Sequence, residues 1–294
     1  MIEITLTITV DIFSGRENPS VELGKEEAKE VLEHLKPSRK LTKDETRQPT
    51  STLGYRGLIF EQTDMLSKEL PKAFRLVNGN LFGRDLAHRA TDENFEDFFC
   101  GTKGPIRKFK EEKGFPELVR GEMMRYLRLT STYIYRPFPW PINGTCVCAP
   151  LYEPNWWNDG GQKQFNNNCY NYATNYRTDT FAQPGRAAGA MYTALTCSSV
   201  KPAAVADCLI DRPGANNECP DEGHLVALVV WPNVDFHWYR KGRNGLWTHK
   251  PGGTQVTNLD NSAHTIADPR TANRGPYTIF CTFMVVMHGH IKIK

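Results

Sequence analysis

The chain has 294 residues and a mass of 33.4 kDa, enough for one large domain or two domains of ordinary size. Its 15 Phe, 11 Tyr and 6 Trp residues, within a hydrophobic fraction of 39%, exclude a chain that is disordered throughout. The 36 basic and 33 acidic residues leave a net charge of +3, which is too small to indicate a nucleic-acid-binding protein.

No hydrophobic segment predicts contact with a membrane. The longest apolar runs, residues 225–231 and 279–287, are far shorter than the roughly 20 residues of a membrane-spanning helix. The N-terminus alternates polar and apolar residues, which is not the pattern of a secretory signal peptide. We therefore expect a cytoplasmic protein, or one exported by a route without a signal peptide; the oligomeric state is left open.

Residues 1–134 predict a small α+β domain. Residues 2–10 alternate apolar and polar side chains, the pattern of a strand with one buried face. Apolar residues at helical spacing predict a helix over residues 24–36, which Pro37 ends, and the polar residues 37–52 predict a loop. Further strands are predicted at residues 58–60 and 74–77, and further helices at residues 92–99 and 115–130.

Residues 135–155 include five prolines, a density that neither a helix interior nor a central strand tolerates. We interpret them as an extended connection to a second domain, residues 156–294. Polar capping residues begin a predicted helix at residues 166–174, and residues 183–223, rich in Gly, Pro and Ala, predict loops. The predicted strands of this domain are residues 225–231, 235–240, 246–249 and 277–287.

The cysteines do not indicate a metal site. Seven of the eight lie at or after residue 146, but no Cys-x-x-Cys pair matches a zinc module. Disulfides among Cys197, Cys208 and Cys219 could form, because that segment is rich in loops. No glycine spacing fits a phosphate-binding loop. We therefore expect neither a metal nor a cofactor.

Cys169, His237 and His249 have the chemistry and the order of a nucleophilic centre. Cys169 begins a predicted helix, where backbone N–H groups favour a thiolate, so we expect it to be the cysteine that alkylates fastest. His237 would act as general base, with a ring nitrogen near hydrogen-bonding reach of the sulfur. His249 lies twelve residues later, across a predicted turn at Asn244-Gly245, and would orient His237.

Other interpretations of these residues stay open at this point. Cys169 could be a small buried hydrophobic residue, His237 a core histidine, and His249 the exposed end of a strand. Asn258 and Asp260 are alternative orienters, 21 and 23 residues after His237.

The arrangement resembles the NlpC-like branch of the papain-fold cysteine peptidases, in which a Cys opens a helix packed on an antiparallel sheet. In that family the general-base His begins the second strand of the sheet, and a polar orienter follows on the next strand. Residues 223–230 match the first strand of the family, and residues 237–249 match its His strand, hairpin and orienter strand. The family usually has Asp before the Cys and Ser-Gly after it, whereas this chain has Asn168 before it and Tyr170-Asn171 after it.

The resemblance covers residues 155–287 and implies an α+β protein with a papain-like C-terminal domain and a smaller N-terminal recognition domain. It also implies a soluble cysteine peptidase or amidase with a Cys-His-His triad, acting on a peptide or a peptidoglycan-like substrate. Two alternatives use the same fold. One is a transglutaminase-like acyltransferase, and the other is a non-catalytic matrix protein that binds glycan or peptide.

Four residues are candidates for substrate binding. Trp156 and Trp157 precede Cys169 and could wall the cleft, and Trp238 adjoins the predicted base. Arg240 belongs to a basic cluster that could bind an acidic group of the substrate. Core packing of the aromatic residues, and a solvated basic face, are the alternatives.

Overall fold

The computed structural model describes residues 5–43, 45–46, 52–92, 94–100, 104–108, 117–123, 146 and 148–294. The chain divides into two compact units. The first unit comprises Met1–Ile12, Asn18–Pro49 and Tyr55–Tyr133, and the second comprises Phe13–Glu17, Thr50–Gly54 and Ile134–Lys294. Two short N-terminal segments therefore belong with the C-terminal residues, which the sequence did not predict.

The first unit combines an antiparallel sheet with short helices. Its strands are β1 (Leu6–Val10), β2 (Ser20–Leu23), β3 (Pro37–Lys40), β4 (Leu58–Gln62), β5 (Ala73–Val77), β6 (Asn80–Gly83) and β7 (Leu86–Ala90). Its helices are α1 (Lys25–His34), α2 (Phe95–Cys100), a 3-10 turn at Pro105–Lys108, and α3, which is described over residues 117–123. In the described residues the strand order is β2-β1-β4-β5-β6-β7-β3.

Four strands of this unit, β2, β3, β6 and β7, were not predicted, and β2 has only four residues, with Val21 and Leu23 buried. Strand β3 falls in the predicted loop at residues 37–52, which is wrong there: β3 lies at an edge of the sheet and three of its four side chains are exposed. Strands β6 and β7 contain apolar residues, but their side chains do not alternate between buried and exposed. The turn between β5 and β6 contains Asn78-Gly79, a dipeptide typical of two-residue hairpins. Both residues have the positive φ that this turn requires.

Two predicted segments lie partly outside the described residues. Residues 2–4 of the first predicted strand are not described, and the rest corresponds to β1. Only residues 117–123 of the helix predicted at 115–130 are described, and they are helical. Within the predicted connection at 135–155, residues 135–145 and 147 are not described.

The second unit contains a five-stranded antiparallel sheet within the described residues. Its strands are β8 (Ile210–Asp211), β9 (His224–Trp231), β10 (Asp235–Lys241), β11 (Trp247–His249) and β12 (Ile279–Val286), in the order β11-β10-β9-β12-β8. Its helices are α4 (Pro154–Trp157), α5 (Gln162–Phe165), α6 (Cys169–Thr174) and α7 (Cys197–Ala206). The expected mixture of helices with antiparallel sheet is confirmed.

Strand β9 reads as a continuous apolar run because both faces of the sheet are covered. Alternate residues of β9, including Val226 and Leu228, pack in a cluster with Cys169, Phe236 and Trp238. The intervening residues of β9 pack in a second cluster on the opposite face, which includes Leu225, Ala227, Val229, Tyr239 and Tyr277. The functional residues described below lie beside these two layers of the core.

Loops occupy much of residues 183–223, as predicted, but the segment also contains helix α7 and strand β8, which were not predicted. Helix α7 has Pro202 in its interior, and its composition resembles that of the loops around it. Strand β8 has only two residues, which is too short to show a period.

Two disulfides lie in the second unit, and their pairing differs from the one considered above. Cys146 bonds Cys219, and Cys197 bonds Cys281. These pairs are 73 and 84 residues apart in sequence, so local loop composition gave no indication of them. The other four cysteines of the described residues form no disulfide; Cys148 and Cys208 are exposed, and Cys100 and Cys169 are buried.

Candidate active site

Helix α6 begins at Cys169 because the asparagines around it form a capping box. The side-chain oxygen of Asn168 accepts hydrogen bonds from the backbone N–H groups of Tyr170 and Asn171. The side-chain oxygen of Asn171 accepts in return from the N–H of Asn168, at 3.1 Å. The helix ends at Asn175, which adopts the left-handed conformation with φ 62°. Cys169 is thereby the first residue of the helix.

Buried polar residues anchor the two ends of α6. The ammonium of Lys250 donates to the carbonyls of Gln164 and Asn167, at 2.6 and 2.5 Å, and so holds the chain that leads into the helix. His224, on β9, contacts the Ala173 carbonyl with Nε2 at 2.7 Å. Burial lowers the pKa of His224 to about 3, so its ring is neutral near neutral pH and donates through Nε2.

His237 and His249 are in direct contact, as the hairpin spacing predicted. Tyr239 on β10 lies opposite His249 on β11, so His237, two residues before Tyr239, is the diagonal neighbour of His249. The distance from His237 Nε2 to His249 Nδ1 is 2.9 Å. The other ring nitrogen of His249, Nε2, is 2.9 Å from the Leu259 carbonyl oxygen.

The structure joins Cys169 to His237 through Ser14. The Ser14 hydroxyl hydrogen-bonds His237 Nδ1 and also the Cys169 side chain. Cys169 packs in the cluster that contains Phe236 and Trp238, whereas His237 contacts Tyr239 on the opposite face of β10. The hydroxyl thus connects two side chains that strand alternation separates. All three side chains belong to residues with no exposed surface.

These hydrogen bonds form one series with a fixed direction. A carbonyl oxygen only accepts, so the bond to Leu259 places a hydrogen on His249 Nε2 and leaves Nδ1 as the acceptor of the neutral ring. His237 must then donate from Nε2, and its Nδ1 accepts from Ser14. The tautomers are assigned from this network, and we call the series from Cys169 to Leu259 the thiol–imidazole series.

The expectation of a thiolate at Cys169 is wrong for this conformation. Burial raises the pKa of the Cys169 thiol well above its usual range, and the negative charge of Asp235 raises it further. Hydrogen bonds from the Trp238 backbone and the Ser14 side chain lower the pKa but do not offset these effects. The short helix therefore does not make Cys169 the most reactive thiol while the site stays covered.

The segment Phe13–Glu17 covers the thiol. The carboxylate of Asp235 accepts hydrogen bonds from the backbone N–H groups of Ser14, Gly15 and Arg16 and from the Tyr277 hydroxyl. Asp235 has no exposed surface, and burial raises the pKa of its carboxyl group although these hydrogen bonds oppose the shift. Neither Ser14 nor Asp235 was predicted from the sequence, since 221 and 223 residues separate Ser14 from Asp235 and His237.

Neither alternative orienter takes the place of His249. The carboxylate of Asp260 accepts from the backbone N–H groups of Ser262, His264 and Asn273, so it caps its own loop. The backbone carbonyl of Asn258 accepts a hydrogen bond from the backbone N–H of Ile266. The residue between them, Leu259, contributes the carbonyl that holds His249.

Three of the four proposed substrate-binding residues are enclosed in the protein interior. Trp157 packs edge-on against Tyr172, with ring centroids 5.1 Å apart, and Trp238 packs in the cluster with Cys169. The guanidinium of Arg240 lies 3.9 Å from the centre of the Tyr172 ring and donates to backbone carbonyls. Only Trp156 is exposed, at 56%, and there it stacks with Arg177. These side chains make packing contacts inside the protein. The sequence alone could not show whether they pack in the core or line a cleft.

The described residues contain no group of three or more His, Cys, Asp or Glu side chains arranged to hold a metal ion. In the same part of the chain, no helix combines the length and the apolar character that crossing a membrane requires.

Comparison with known proteins gives one informative relative. The chain is 48% identical over 143 residues to the insoluble matrix shell protein 1 of Ruditapes philippinarum. The match covers 48% of this chain and 92% of the relative. No protein-family model matches the chain. No solved structure matches it either.

Proposed function

We propose that this chain, which belongs to the family of the insoluble matrix shell protein 1, is an extracellular matrix protein that carries a covered cysteine centre for amide-bond chemistry. The name of the relative and the two disulfides support the location, because disulfides persist mainly in oxidising compartments. The family relationship says nothing about the chemistry. That part of the proposal rests on the site alone.

The observation that carries the chemistry is the thiol–imidazole series. Cys169 starts a helix that packs on β10, His237 lies on that strand, and His249 lies on the next one. This order is the one expected of a papain-like hydrolase, and we propose that fold for the second unit. The series is polarised so that His237 Nδ1 is an acceptor, which is the state that a general base requires.

The proposed reaction begins once the covering segment has left. His237 Nδ1 takes the thiol proton while the sulfur of Cys169 bonds to the carbonyl carbon of the acyl donor. The resulting imidazolium still donates from Nε2 to His249, so protonation breaks no hydrogen bond of the series. His237 then gives the proton to the departing amine as the C–N bond breaks. Water or a second amine next attacks the thioester, His237 accepts its proton and returns it to the leaving thiolate.

A non-catalytic matrix protein is the second candidate function. The full burial of Cys169 favours it, because a covered thiol with a raised pKa is inert. In that case the polar series would only fix the packing of α6 on the sheet. The two candidates make different predictions for the reaction of Cys169 with an activated ester.

The test is acylation by p-nitrophenyl acetate, followed by peptide mapping. We use the full chain and its Gly15→Ala variant, in which a Cβ has no room against Phe236 and displaces the covering segment. The catalytic proposal predicts acetyl transfer to Cys169 in the variant, faster than to the exposed Cys148 and Cys208. His237→Ala in the same background should slow it roughly 100-fold or more. Acetylation confined to Cys148 and Cys208 in both proteins would contradict catalysis and favour the second candidate.

A further inference from the structure

The contacts of Phe13–Glu17 are those of a bound peptide. The carboxylate of Asp235 accepts hydrogen bonds from the backbone N–H groups of three consecutive residues. The N···O distances are 2.5 Å for Ser14, 3.1 Å for Gly15 and 3.0 Å for Arg16. Such bonds recognise the backbone and not the side chains. The Arg16 guanidinium also donates to the Val234 carbonyl at 3.2 Å. A single buried carboxylate thus holds three consecutive residues of a bend.

The carbonyl of Gly15 is held by two side-chain amides beside the thiol. Asn168 Nδ2 donates to it at 2.9 Å and Gln183 Nε2 at 2.7 Å. Both residues are buried, and the Tyr192 hydroxyl fixes the Gln183 oxygen at 2.8 Å. Asn168 immediately precedes Cys169 in the chain. Two converging donors next to a nucleophile would bind a carbonyl group of any peptide placed there.

The same position accepts only glycine. A Cβ on Gly15 would lie 2.5 Å from the carbonyl oxygen of Phe236 and would overlap the Phe236 ring. Neither the backbone of β10 nor the buried ring can move away cheaply, because Phe236 packs in the core cluster with Cys169. Any peptide that uses these donors must therefore place a glycine against Phe236.

We propose that Asp235, Asn168 and Gln183 form a subsite for a glycine-containing peptide, which the chain fills with its own segment Phe13–Glu17. The inference deepens the proposed function and rests on it, since it names glycine-containing peptide as the substrate class. The segment is held and not cleaved, because the Ser14 hydroxyl lies between the thiol and its base. Leaving the subsite would remove the Ser14 hydroxyl from between Cys169 and His237.

The first step of the test measures the alkylation of Cys169 by iodoacetamide in the full chain. Gly15→Ala should raise the rate at least tenfold over the wild type. Gly214→Ala is the matched control, since a Cβ there meets no atom within 4 Å and the rate should not change. Circular dichroism and tryptophan fluorescence check that the variants remain folded. An unchanged rate in folded Gly15→Ala would overturn the inference.

The second step adds blocked peptides to Gly15→Ala. The peptide Phe-Ser-Gly-Arg-Glu should restore the protection of Cys169, and Phe-Ser-Ala-Arg-Glu should not. Adding Gln183→Ala should weaken the binding of the protecting peptide about tenfold, as expected for the loss of one buried hydrogen bond. Equal protection by both peptides, or by neither, would overturn the subsite.

These readouts do not depend on catalysis. If the glycine peptide protects Cys169 but the ester never acylates it, the subsite stands and the proposed chemistry fails. If the ester acylates Cys169 and no peptide protects it, the chemistry stands and the subsite fails.

Discussion

Replacing His249 with alanine should slow the acylation of Cys169 about 100-fold in the Gly15→Ala background. His249 Nδ1 is the acceptor for His237 Nε2–H, and Leu259 fixes the ring that provides it. Without that acceptor His237 can rotate, or can carry its proton on Nδ1, where it no longer accepts the thiol proton. General-base contributions of roughly 10²–10⁴-fold set the scale of the loss.

The comparison of three variants separates orientation from charge. His249→Gln should retain part of the rate, because a neutral amide oxygen can accept the same hydrogen bond. Asn258→Ala is the control, since its described hydrogen bond comes from the backbone and survives the change. Rates are measured by mapping acetylated Cys169 over time, with folding checked by circular dichroism. Equal rates for His249→Ala and Asn258→Ala would show that the base needs no orienter.

Removing the Cys197–Cys281 disulfide should lower the free energy of unfolding of the second unit by about 4–5 kcal/mol. The bond closes a loop of 84 residues, and the chain-entropy model gives this value for a loop of that length. Both cysteines also pack against the cluster that contains Cys169. The variant is Cys197→Ser with Cys281→Ser, and the comparison is Cys146→Ser with Cys219→Ser, whose loop of 73 residues gives nearly the same entropy.

Tryptophan fluorescence during denaturant unfolding is the appropriate measurement. All six tryptophans lie after residue 134, so the signal reports on the second unit. The Cys197–Cys281 variant should lose at least as much stability as the other pair, because its partners lie against the core. A loss below about 1 kcal/mol for both pairs would argue against stabilising disulfides and would weaken the extracellular assignment.

The elements of the second unit were predictable where their signals are local. The Asn244-Gly245 turn and the twelve residues between the histidines set the hairpin, and the structure brings His237 and His249 together across it. The apolar run of β9 indicated a strand covered on both sides. Patterns of this kind depend only on residues that are close together in the chain, so they can be recognised in a single sequence.

Ser14, Asp235 and Gln183 were not predictable because their roles depend on distant segments. Phe13–Glu17 reads as an ordinary polar loop, and nothing in its composition indicates that it meets β10 more than 200 residues later. The same contact explains the wrong expectation for the thiol. A helix start favours a thiolate only in reach of water, and the folded chain covers Cys169. Burial of that kind is a tertiary property.

The most direct test of the central claim is the nitrogen NMR spectrum of the histidine rings in the full chain near neutral pH. The thiol–imidazole series requires His237 to carry its hydrogen on Nε2 and to leave Nδ1 as an acceptor, with His249 protonated on Nε2. Protonated and bare ring nitrogens have well-separated shifts, and His237→Ala and His249→Ala assign the signals. A His237 ring that carries its hydrogen on Nδ1 would contradict the account, because that nitrogen could not accept from Ser14 or from the thiol.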